Sequence, residues 1–284
     1  MPFPLNVIFL LPASRFLLKV IAMSQSLPIA LSIAGSDSGG GAGIQADLLT
    51  FAAHGVYGTT AITCLTAQNP EGVTAVHASP AEIVREQIQQ VLRYYPVKAI
   101  KTGMLFDAAI IRAVVAVLKD NAHIPLIVDP VMVASSGARL LQEDAMSVMI
   151  NELIPFAHVV TPNLDEAEIL LGKRPRETEV GMMVDAAELA KKLGTTVLLK
   201  GGHSQGTILR DILVDNNGRA LSVCTANRIS DVDTHGSGCT LSAGLTARLA
   251  RGEDLTEAFQ NAHAYLQESL VASIQAGPRK QIGH

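Results

Sequence analysis

The chain contains no tryptophan, only three cysteines and few aromatic side chains, and each shortage limits what the protein can be. Cys64, Cys224 and Cys239 are odd in number and scattered without the spacing of a metal site, so they do not predict a disulfide scaffold. Such cysteine usage is typical of a protein in a reducing cytosol. We therefore expect a cytoplasmic protein.

The chain also has no excess of positive charge. Asp and Glu number 26 against 22 Lys and Arg, and charged residues make up only 17% of the chain. Nucleic acids and anionic membrane surfaces are bound through clusters of positive charge, because Lys and Arg neutralise the phosphates. The sequence therefore predicts no nucleic-acid or membrane partner and favours a small-molecule substrate.

A long apolar run suited to a membrane span is missing as well. The apolar run before Arg15 and Lys19 is too short to cross a bilayer, and its charges follow it, whereas a secretory signal carries them in front. We predict a leader or tail over residues 1–26 and one domain over residues 27–284, since a chain of this length can bury one large core.

Short apolar runs alternate with amphipathic stretches along the rest of the chain. Runs bounded by Gly, Pro or polar residues are typical of buried strands, and the stretches between them have helical spacing. This alternation predicts an α/β fold with a mostly parallel central sheet flanked by helices on both faces. An Asn-Gly turn predicts an antiparallel hairpin at one edge. The predicted strands are residues 29–34, 60–65, 97–101, 125–129, 158–161 and 196–200, the hairpin strands 208–214 and 220–225, and the helices 44–54, 80–92, 107–119, 143–153, 165–171 and 180–193.

Polar or glycine-rich residues follow each predicted strand of the parallel sheet. In open sheets of this class ligands collect beyond the carboxyl ends of the strands, so these residues should meet in one crevice. They are Gly35-Ser36-Asp37, Gln68-Asn69, Thr102-Gly103-Met104, Asp129-Pro130, Thr161-Pro162-Asn163 and Lys200-Gly201-Gly202-His203.

The most informative stretch is Asp233-Thr234-His235-Gly236-Ser237-Gly238-Cys239, which precedes an apolar run with helical spacing. Gly236 and Gly238 allow a tight turn and the close approach of a ligand, and first-turn amides have no partner inside the helix. Together with the helix dipole, these amides favour phosphate. We expect the same dipole to lower the pKa of the Cys239 thiol. A glycine pair before a helix is also common as a packing turn.

A second glycine-rich loop, residues 35–43, runs into the helix predicted from Ile44. A dinucleotide-binding loop is one interpretation, but the glycine spacing is irregular and no acidic residue ends a matching second strand. Asp47 lies one turn into that helix. Its carboxylate could hydrogen-bond an amine or ring nitrogen of a ligand, or it could only stabilise the helix N-terminus.

These motifs resemble the ribokinase-like kinases and, within them, the hydroxymethylpyrimidine/phosphomethylpyrimidine kinases of thiamine biosynthesis. Residues 233–239 match the ribokinase-like pattern Asp-Thr-x-Gly-Ala-Gly-Asp, with Cys239 where those kinases have a catalytic aspartate. The runs Gly-Ser-Gly-Cys-Thr-Leu-Ser, Ala-Gly-Ile-Gln-Ala-Asp and Lys-Gly-Gly-His carry the resemblance, which covers about residues 29–272. It implies a ribokinase-like fold, ATP and Mg²⁺ as cofactors, and a homodimer. The implied reaction is phosphorylation of 4-amino-5-hydroxymethyl-2-methylpyrimidine and then of its monophosphate.

The resemblance also implies catalytic roles. Cys239 would accept the proton of the alcohol. The amides of Gly236, Ser237 and Gly238 would stabilise developing oxygen charge. Lys200 would balance the charge of the transferred phosphate, although a surface lysine that extends its ammonium into water is the alternative.

On the acceptor side, Gln68 would supply the donor and the acceptor that an aminopyrimidine edge requires, and Met104 and Val131 would supply apolar faces. Without the resemblance, Gln68 could simply bond nearby backbone, and Met104 and Val131 could be ordinary core. The residues that would border the pyrimidine are Gly35, Ala42, Asp47, Gln68, Met104 and Val131.

Asp129 and Glu166 are the predicted magnesium-side carboxylates. Asp129 closes an apolar strand, where a charge requires a cation, a water network or a basic partner. Glu166 belongs to an Asn-x-x-Glu element that begins at Asn163 and resembles the element linked to magnesium and phosphate in ribokinase-like enzymes. As an alternative, Glu166 could be a charge that only stabilises a first helical turn. We expect Asn163, Glu166, Lys200 and Thr234 on the nucleotide side.

Two other functions stay open at this point. Pyridoxal kinase is one, because pyridoxal and the pyrimidine are both flat heteroaromatic hydroxymethyl compounds on a shared fold. A non-catalytic pyrimidine-binding sensor is the other, since a fold alone does not establish catalysis.

Overall fold

The computed structural model describes residues 26–132, 141 and 143–284. The predicted leader over residues 1–26 therefore lies almost entirely outside the described residues. A nine-stranded sheet forms the centre of the described part, with helices on both faces. Within these ranges, no helix combines the length and the apolar character that crossing a bilayer requires.

The strands and helices follow the predicted alternation. Helix α4 continues beyond its α-helical part as a π-helical turn, Met149–Leu153, and a tighter turn, Ile154–Phe156. The strands are β1 Ile29–Asp37, β2 Tyr57–Asn69, β3 Gly72–Ala78, β4 Val97–Thr102, β5 Leu126–Val128, β6 Val159–Val160, β7 Thr196–Lys200, β8 Ile208–Val214, β9 Ala220–Asn227, β10 Ile274–Ala276 and β11 Arg279–Gln281. The helices are α1 Gly43–Ala53, α2 Ala81–Tyr94, α3 Ala108–Leu118, α4 Glu143–Val148, α5 Leu164–Leu171, α6 Glu179–Leu193, α7 Ser237–Ala250 and α8 Leu255–Val271.

The order of strands in the sheet is β3-β2-β1-β4-β5-β6-β7-β8-β9. Neighbouring strands from β2 to β7 are parallel, whereas β3 and β8 run antiparallel to the strands beside them, and β9 runs antiparallel to β8. The predicted α/β class, with a mostly parallel sheet and an edge hairpin, is confirmed.

Alternate residues of the central strands face two separate cores. Leu31 and Ile33 of β1 pack with α2 to α6 on one face, whereas Ala30 faces the core formed with α1 and α7. In β7, Val197 likewise faces the first core and Leu198 faces the core formed with α7 and α8. Since both faces are covered, the strands are nearly continuous apolar runs.

The structure differs from the predicted elements at one edge of the sheet. Strand β2 extends from Tyr57 to Asn69, and beyond Cys64 it pairs with β3, which the sequence pattern did not predict. This ribbon is largely solvent-accessible, and Leu65 is 52% exposed. An exposed ribbon needs no regular apolar alternation, which is the pattern that reveals a strand in a sequence.

Strand β1 lies at the point where the order of strands reverses, because the chain passes from β1 to β2 on one side and later reaches β4 on the other. Such a reversal opens a crevice at the carboxyl ends of the strands. Helix α7 packs against β1, β4 and β5. Its first turn lies at this crevice.

Candidate active site

A cavity of about 390 Å³ lies at the carboxyl ends of the strands. Its wall combines both glycine-rich loops, the ends of β1, β2, β4, β5 and β7, and the N-terminus of α7. All but one of the predicted site residues line this cavity, the exception being Asp47. Those in the wall are Gly35, Ala42, Gln68, Met104, Asp129, Val131, Asn163, Glu166, Lys200, Thr234, Gly236, Ser237, Gly238 and Cys239.

Helix α7 begins with Gly236 as its N-cap, at a φ of 85°. This left-handed conformation favours glycine, and a Cβ at this position would lie 1.8 Å from the carbonyl oxygen of Gly41. The loop that precedes α7 therefore touches the glycine-rich loop after β1 backbone to backbone. The two loops fix each other's position.

The amides of the first turn of α7 are not equally available. The N–H of Ser237 donates to the carbonyl oxygen of Thr234 at 3.0 Å, so this amide is occupied. The amides of Gly238 and Cys239 have no backbone acceptor within the described ranges. A Cβ on Gly238 would lie 3.2 Å from Lys200 Nζ, which places the ammonium beside the same turn. The predicted anion site is thus built from two amides and a lysine.

The prediction for the Cys239 thiol was wrong. Burial raises its pKa to about 11, and the favourable charge of Lys101 is opposed by the negative charges of Asp47 and Asp129. Proximity to a helix N-terminus does not compensate for the loss of water around the sulfur.

Asp47 does not line the cavity itself, and its predicted place beside the acceptor stays a prediction. It is fully buried, and its two carboxylate oxygens lie 2.7 and 2.9 Å from Lys101 Nζ. The hydroxyl of Ser32 donates to the same carboxylate at 2.5 Å. Asp47 thus holds Lys101, and it is the fully buried Lys101 that reaches the cavity wall.

Lys101 was not among the predicted site residues, although a lysine at the end of an apolar strand is a pattern that could have indicated it. Burial alone would lower its pKa, but the negative charges of Asp47, Cys239 and Asp129 raise the pKa above the ordinary value for lysine. Lys101 therefore stays protonated and places a positive charge near the thiol of Cys239.

Asp129 and Lys200 form a buried ion pair. Lys200 Nζ lies 2.8 Å from Asp129 Oδ1, and the hydroxyl of Ser242 donates to Asp129 Oδ2 at 3.0 Å. Burial acts to lower the pKa of Lys200, but Asp129 and Glu166 outweigh it and raise the pKa. With 8% of its surface exposed, Lys200 is not the surface lysine of the alternative interpretation.

Glu166 both caps a helix and lines the cavity. Its carboxylate accepts the N–H of Asn163 and its own N–H donates to the Asn163 side chain, both at 2.9 Å, which forms a capping box on α5. It also lines the cavity, where burial raises its pKa to about 7. Lys200 opposes this shift, whereas Asp129 adds to it.

Two buried carboxylates, those of Asp129 and Glu166, lie in the cavity wall close to Lys200. The part of the chain that the structure describes holds no group of three or more His, Cys, Asp or Glu arranged around a metal ion. Mg²⁺ is commonly bound by one or two carboxylates, with phosphate oxygens and waters completing the shell. Asp129 and Glu166 fit that donor set.

A hydrogen-bonded chain links the acceptor side of the cavity to the loop before α7. His235 Nε2 lies 3.1 Å from Asp37 Oδ2 and 3.0 Å from the terminal amide of Gln68. The backbone amides of Gly39 and Ala42 donate to the Asp37 carboxylate at 2.7 and 2.8 Å. Burial acts to raise the pKa of Asp37, but these bonds outweigh it and the pKa is lowered.

One apolar part of the cavity wall was not predicted from the sequence. Leu209, Ile229, Leu266 and Leu270 provide an apolar wall from the hairpin side and from α8. Arg228, just beyond β9, donates to the carbonyl oxygens of Gly202 and Ser204, and so ties down the loop that follows Lys200. In the sequence these leucines are indistinguishable from ordinary core residues of a helix or strand.

The comparisons with known proteins agree with this geometry. The family model for phosphomethylpyrimidine kinase matches residues 37–284. The chain belongs to this family. A hydroxymethylpyrimidine/phosphomethylpyrimidine kinase of Rhizobium meliloti (strain 1021) is 48% identical to this member of the family over 255 residues, which is 90% of this chain and 93% of that protein.

Solved structures show the same fold in two kinds of vitamin kinase. The phosphomethylpyrimidine kinase of Clostridium difficile 630 is 40% identical, with a TM-score of 0.73 over 86% of this chain and 99% of that one. The pyridoxal kinase of Bacillus subtilis, solved as an ADP complex, is 34% identical, with a TM-score of 0.80 over 91% of this chain and 98% of that one. The predicted ribokinase-like fold and the family resemblance are confirmed.

Proposed function

We propose that this chain transfers the γ-phosphate of ATP to 4-amino-5-hydroxymethyl-2-methylpyrimidine and then to its monophosphate. The observation that carries the proposal is the meeting of an anion site, a partly buried thiol and a side-chain amide in one cavity. These are the α7 N-terminus with Lys200, the thiol of Cys239, and Gln68. Membership of the phosphomethylpyrimidine kinase family supports the assignment.

Gln68 supplies the polar recognition of the acceptor. Its carboxamide has both donors and an acceptor, which match the amino group and a ring nitrogen of an aminopyrimidine. Met104 and Val131 line the same part of the cavity and would contact the faces of the ring. A flat ring between apolar side chains, fixed by a few polar groups, is the usual design of a small-molecule site.

Phosphoryl transfer depends mainly on positioning and charge neutralisation. The amides of Gly238 and Cys239 stabilise oxygen charge that develops on the transferred group, and Lys200 adds a mobile positive charge beside them. Asp129 and Glu166 would hold Mg²⁺, directly or through water, and the ion would supply positive charge against the negative charge of the phosphates.

Cys239 accepts the proton of the alcohol in the first transfer. With a pKa of about 11 the thiol is almost entirely protonated near neutral pH. Lys101 favours the small thiolate fraction because its ammonium stays charged. The monophosphate, the second acceptor, is already ionised, so its phosphorylation requires no base.

Phosphorylation of pyridoxal is the second candidate activity. It is favoured by the solved pyridoxal kinase of Bacillus subtilis, which aligns with a TM-score of 0.80. Values of kcat/KM for pyridoxal and for the pyrimidine, measured side by side, would rank the two activities.

The decisive experiment for the proposed function is a product assay by mass spectrometry, with ATP, Mg²⁺ and the hydroxymethyl pyrimidine. We expect the monophosphate first and the diphosphate later. Tight binding of the pyrimidine with no ATP turnover on any alcohol would instead indicate a non-catalytic sensor. Turnover of pyridoxal alone would assign the second candidate.

We further propose that the chain forms a homodimer. Leu49 on α1 and Tyr57 and Leu65 on β2 are large apolar side chains with 48%, 48% and 52% exposure. They lie on two elements that contact each other, and apolar side chains left exposed in this way favour a surface that binds another protein. Light scattering should give twice the mass of the chain, and a monomer at micromolar concentration would contradict this.

A further inference from the structure

The imidazole of His235 bonds two partners through one nitrogen. Its Nε2 lies 3.1 Å from Asp37 Oδ2 and 3.0 Å from Gln68 Nε2. A ring nitrogen either carries one hydrogen and donates, or carries none and accepts. The protonation of this single atom therefore determines what both neighbours can do.

Asp37 determines that Nε2 carries the hydrogen. Both carboxylate oxygens already accept backbone N–H groups, from Gly39 and from Ala42, which favours the ionised form. An ionised carboxylate only accepts hydrogen bonds. A bare nitrogen on His235 would place two lone pairs against each other, so the Nε2–H form is required.

The amide of Gln68 then conflicts with its neighbours when its nitrogen faces the imidazole. Gln68 Nε2 would oppose His235 Nε2–H, donor against donor. On its other side, Gln68 Oε1 lies 3.2 Å from Thr66 Oγ1, whose one hydrogen is already donated to the carbonyl oxygen of Ser36 at 3.0 Å. A half-turn of the amide resolves both conflicts together. Its oxygen then shares the Nε2 hydrogen of His235 with Asp37 in a three-centre bond, and its nitrogen donates to Thr66.

We propose that His235, held by Asp37, is a positioning residue that fixes the carbonyl of Gln68 toward the imidazole and its amide nitrogen toward Thr66. One lone pair and one N–H of the amide then remain for a ligand. The amino group of the acceptor ring lies on the His235 side and a ring nitrogen acceptor lies on the Thr66 side. This inference rests on the proposed function, since it assigns the orientation of the acceptor in that site.

A fixed amide makes the site selective against a closely related ring. The 4-oxo analogue, in which an oxygen replaces the amino group, presents an acceptor and a ring N–H donor in reversed order. If the amide of Gln68 cannot rotate, its oxygen faces the oxygen of this analogue and its N–H faces the ring N–H. Sites built around hydrogen bonds reject mismatched analogues strongly, so we expect discrimination of at least about 100-fold in kcat/KM.

The test compares His235→Leu, which lacks a donor, with His235→Gln, which restores an N–H donor at a similar distance from the backbone. With both pyrimidines as acceptors, His235→Leu should raise the KM of the amino substrate more than it lowers kcat. It should also reduce the amino-to-oxo discrimination by at least about tenfold, because the amide of Gln68 can then adopt both orientations. His235→Gln should recover most of the discrimination. Unchanged discrimination in His235→Leu would overturn the proposal.

A double-mutant cycle with Gln68→Ala separates an effect through Gln68 from general damage to the loop before α7. In the Gln68→Ala background, His235→Leu should change kcat/KM for the amino substrate by less than about twofold. If the losses in kcat/KM of the two single variants multiply in the double variant, and the KM for ATP rises as much as the KM for the pyrimidine, then His235 only supports the loop before α7. That result would overturn the proposal.

The protonation state is read independently of turnover. Nitrogen-15 NMR of histidine-labelled protein should show a hydrogen on Nε2 of His235, and a spectrum with Nε2 bare would overturn the proposal. A wild-type protein that phosphorylates no pyrimidine but keeps the Nε2–H signal would refute the proposed function and leave the hydrogen-bond chain intact.

Discussion

At the scale of single residues, the proposed base Cys239 lies in surroundings that disfavour its ionised form. Burial holds the pKa of its thiol at about 11, so only a small fraction is ionised at neutral pH. The ammonium of Lys101, oriented by the carboxylate of Asp47, is the main favourable charge. If Cys239 is the base as proposed, the first transfer uses a minor protonation state of the thiol, whereas the second does not.

Replacement of Cys239 by alanine separates the two transfers. Loss of a general base typically lowers a rate by about 10²–10⁴-fold, and we expect a loss of this size in kcat for the alcohol. The monophosphate is already ionised, so its phosphorylation should fall by less than about tenfold. Product quantification with each acceptor measures both steps, and equal losses would reject Cys239 as the base.

The pH profile of the first transfer follows from the same raised pKa. Below a pKa of about 11 the thiolate fraction grows as the pH rises, by about tenfold per unit. Between about pH 7 and pH 9, kcat/KM for the alcohol should therefore increase with a slope near one on logarithmic axes. The same assay with the monophosphate is the control and should show a much flatter profile. A flat profile for the alcohol would mean that the thiolate is not the base.

Single residues differ in how well the sequence predicts them. Lys200 and Cys239 could be placed because strand ends and first helical turns collect ligands in any sheet of this class. The partnership of Lys101 with Asp47 could not, because it depends on how α1 packs on the sheet beside β1, and the two residues are 54 positions apart. The prediction for the pKa of the Cys239 thiol was wrong for a related reason, since burial depends on the surroundings of the thiol and cannot be read from a local motif.

At the scale of elements, the backbone contact between the loop before α7 and the loop after β1 controls the anion site. Gly236→Ala would place a Cβ 1.8 Å from the carbonyl oxygen of Gly41, so the two loops must separate. Misplacement of catalytic groups by about 1 Å can cost about 10²-fold in rate. We expect kcat/KM for both acceptors to fall by about that factor, with the KM for ATP raised.

Gly252→Ala is the matched control for this change. Gly252 follows the other end of α7 with a φ of 86°, and a Cβ there would meet nothing within 4 Å. It therefore carries the same backbone strain, worth about 1 kcal/mol, without a clash. Thermal unfolding should show a small loss of stability in Gly252→Ala and a larger one in Gly236→Ala, and steady-state kinetics should show a loss of activity in Gly236→Ala alone. Equal activities would contradict the role of the loop contact.

The elements themselves were predictable where they are buried on both faces. The parallel strands, the helices between them and the Asn-Gly hairpin were all found, although α1, α5 and α6 begin one residue earlier than predicted. Strand β3 and the terminal hairpin of β10 and β11 were missed, because exposed strands carry no apolar alternation. The apolar wall of Leu266 and Leu270 was missed because the same leucines also fit an ordinary helix face.

At the scale of the whole molecule, the cavity lowers the stability of the fold around it. The pKa of Glu166, raised by burial from 4.5 to about 7, means that the folded protein binds this proton more tightly than the unfolded chain does. Stability is therefore lost as the pH rises from about 4.5 to about 7. At about 1.4 kcal/mol per pKa unit the loss amounts to at most about 3 kcal/mol.

Glu166→Gln tests this trade between stability and function. Glutamine can retain the capping box with Asn163, so the cap on α5 is preserved. At about pH 8 the free energy of unfolding should rise by up to about 3 kcal/mol, while near pH 4 it should match the parent. Affinity for ATP with Mg²⁺ should fall, because one carboxylate is lost. Urea unfolding at both pH values and ATP titrations measure the two effects.

Glu168→Gln, on the same helix, is the control for the stability change. Glu168 forms a largely exposed ion pair with Arg174, and such pairs contribute about 0–1 kcal/mol. Its replacement should therefore change the free energy of unfolding little at either pH. A gain in Glu166→Gln that is equal at both pH values would show that ionisation of the carboxylate is not its cause.

The continuity of the cavity has a consequence for inhibitor design. Met104, on the proposed acceptor side, and Leu270 of α8 line one and the same cavity. A compound that tethers the pyrimidine to adenosine through a chain of phosphates could occupy both ends at once. Once one end is seated, the other binds at a high effective concentration, so such a hybrid should bind far more tightly than either fragment.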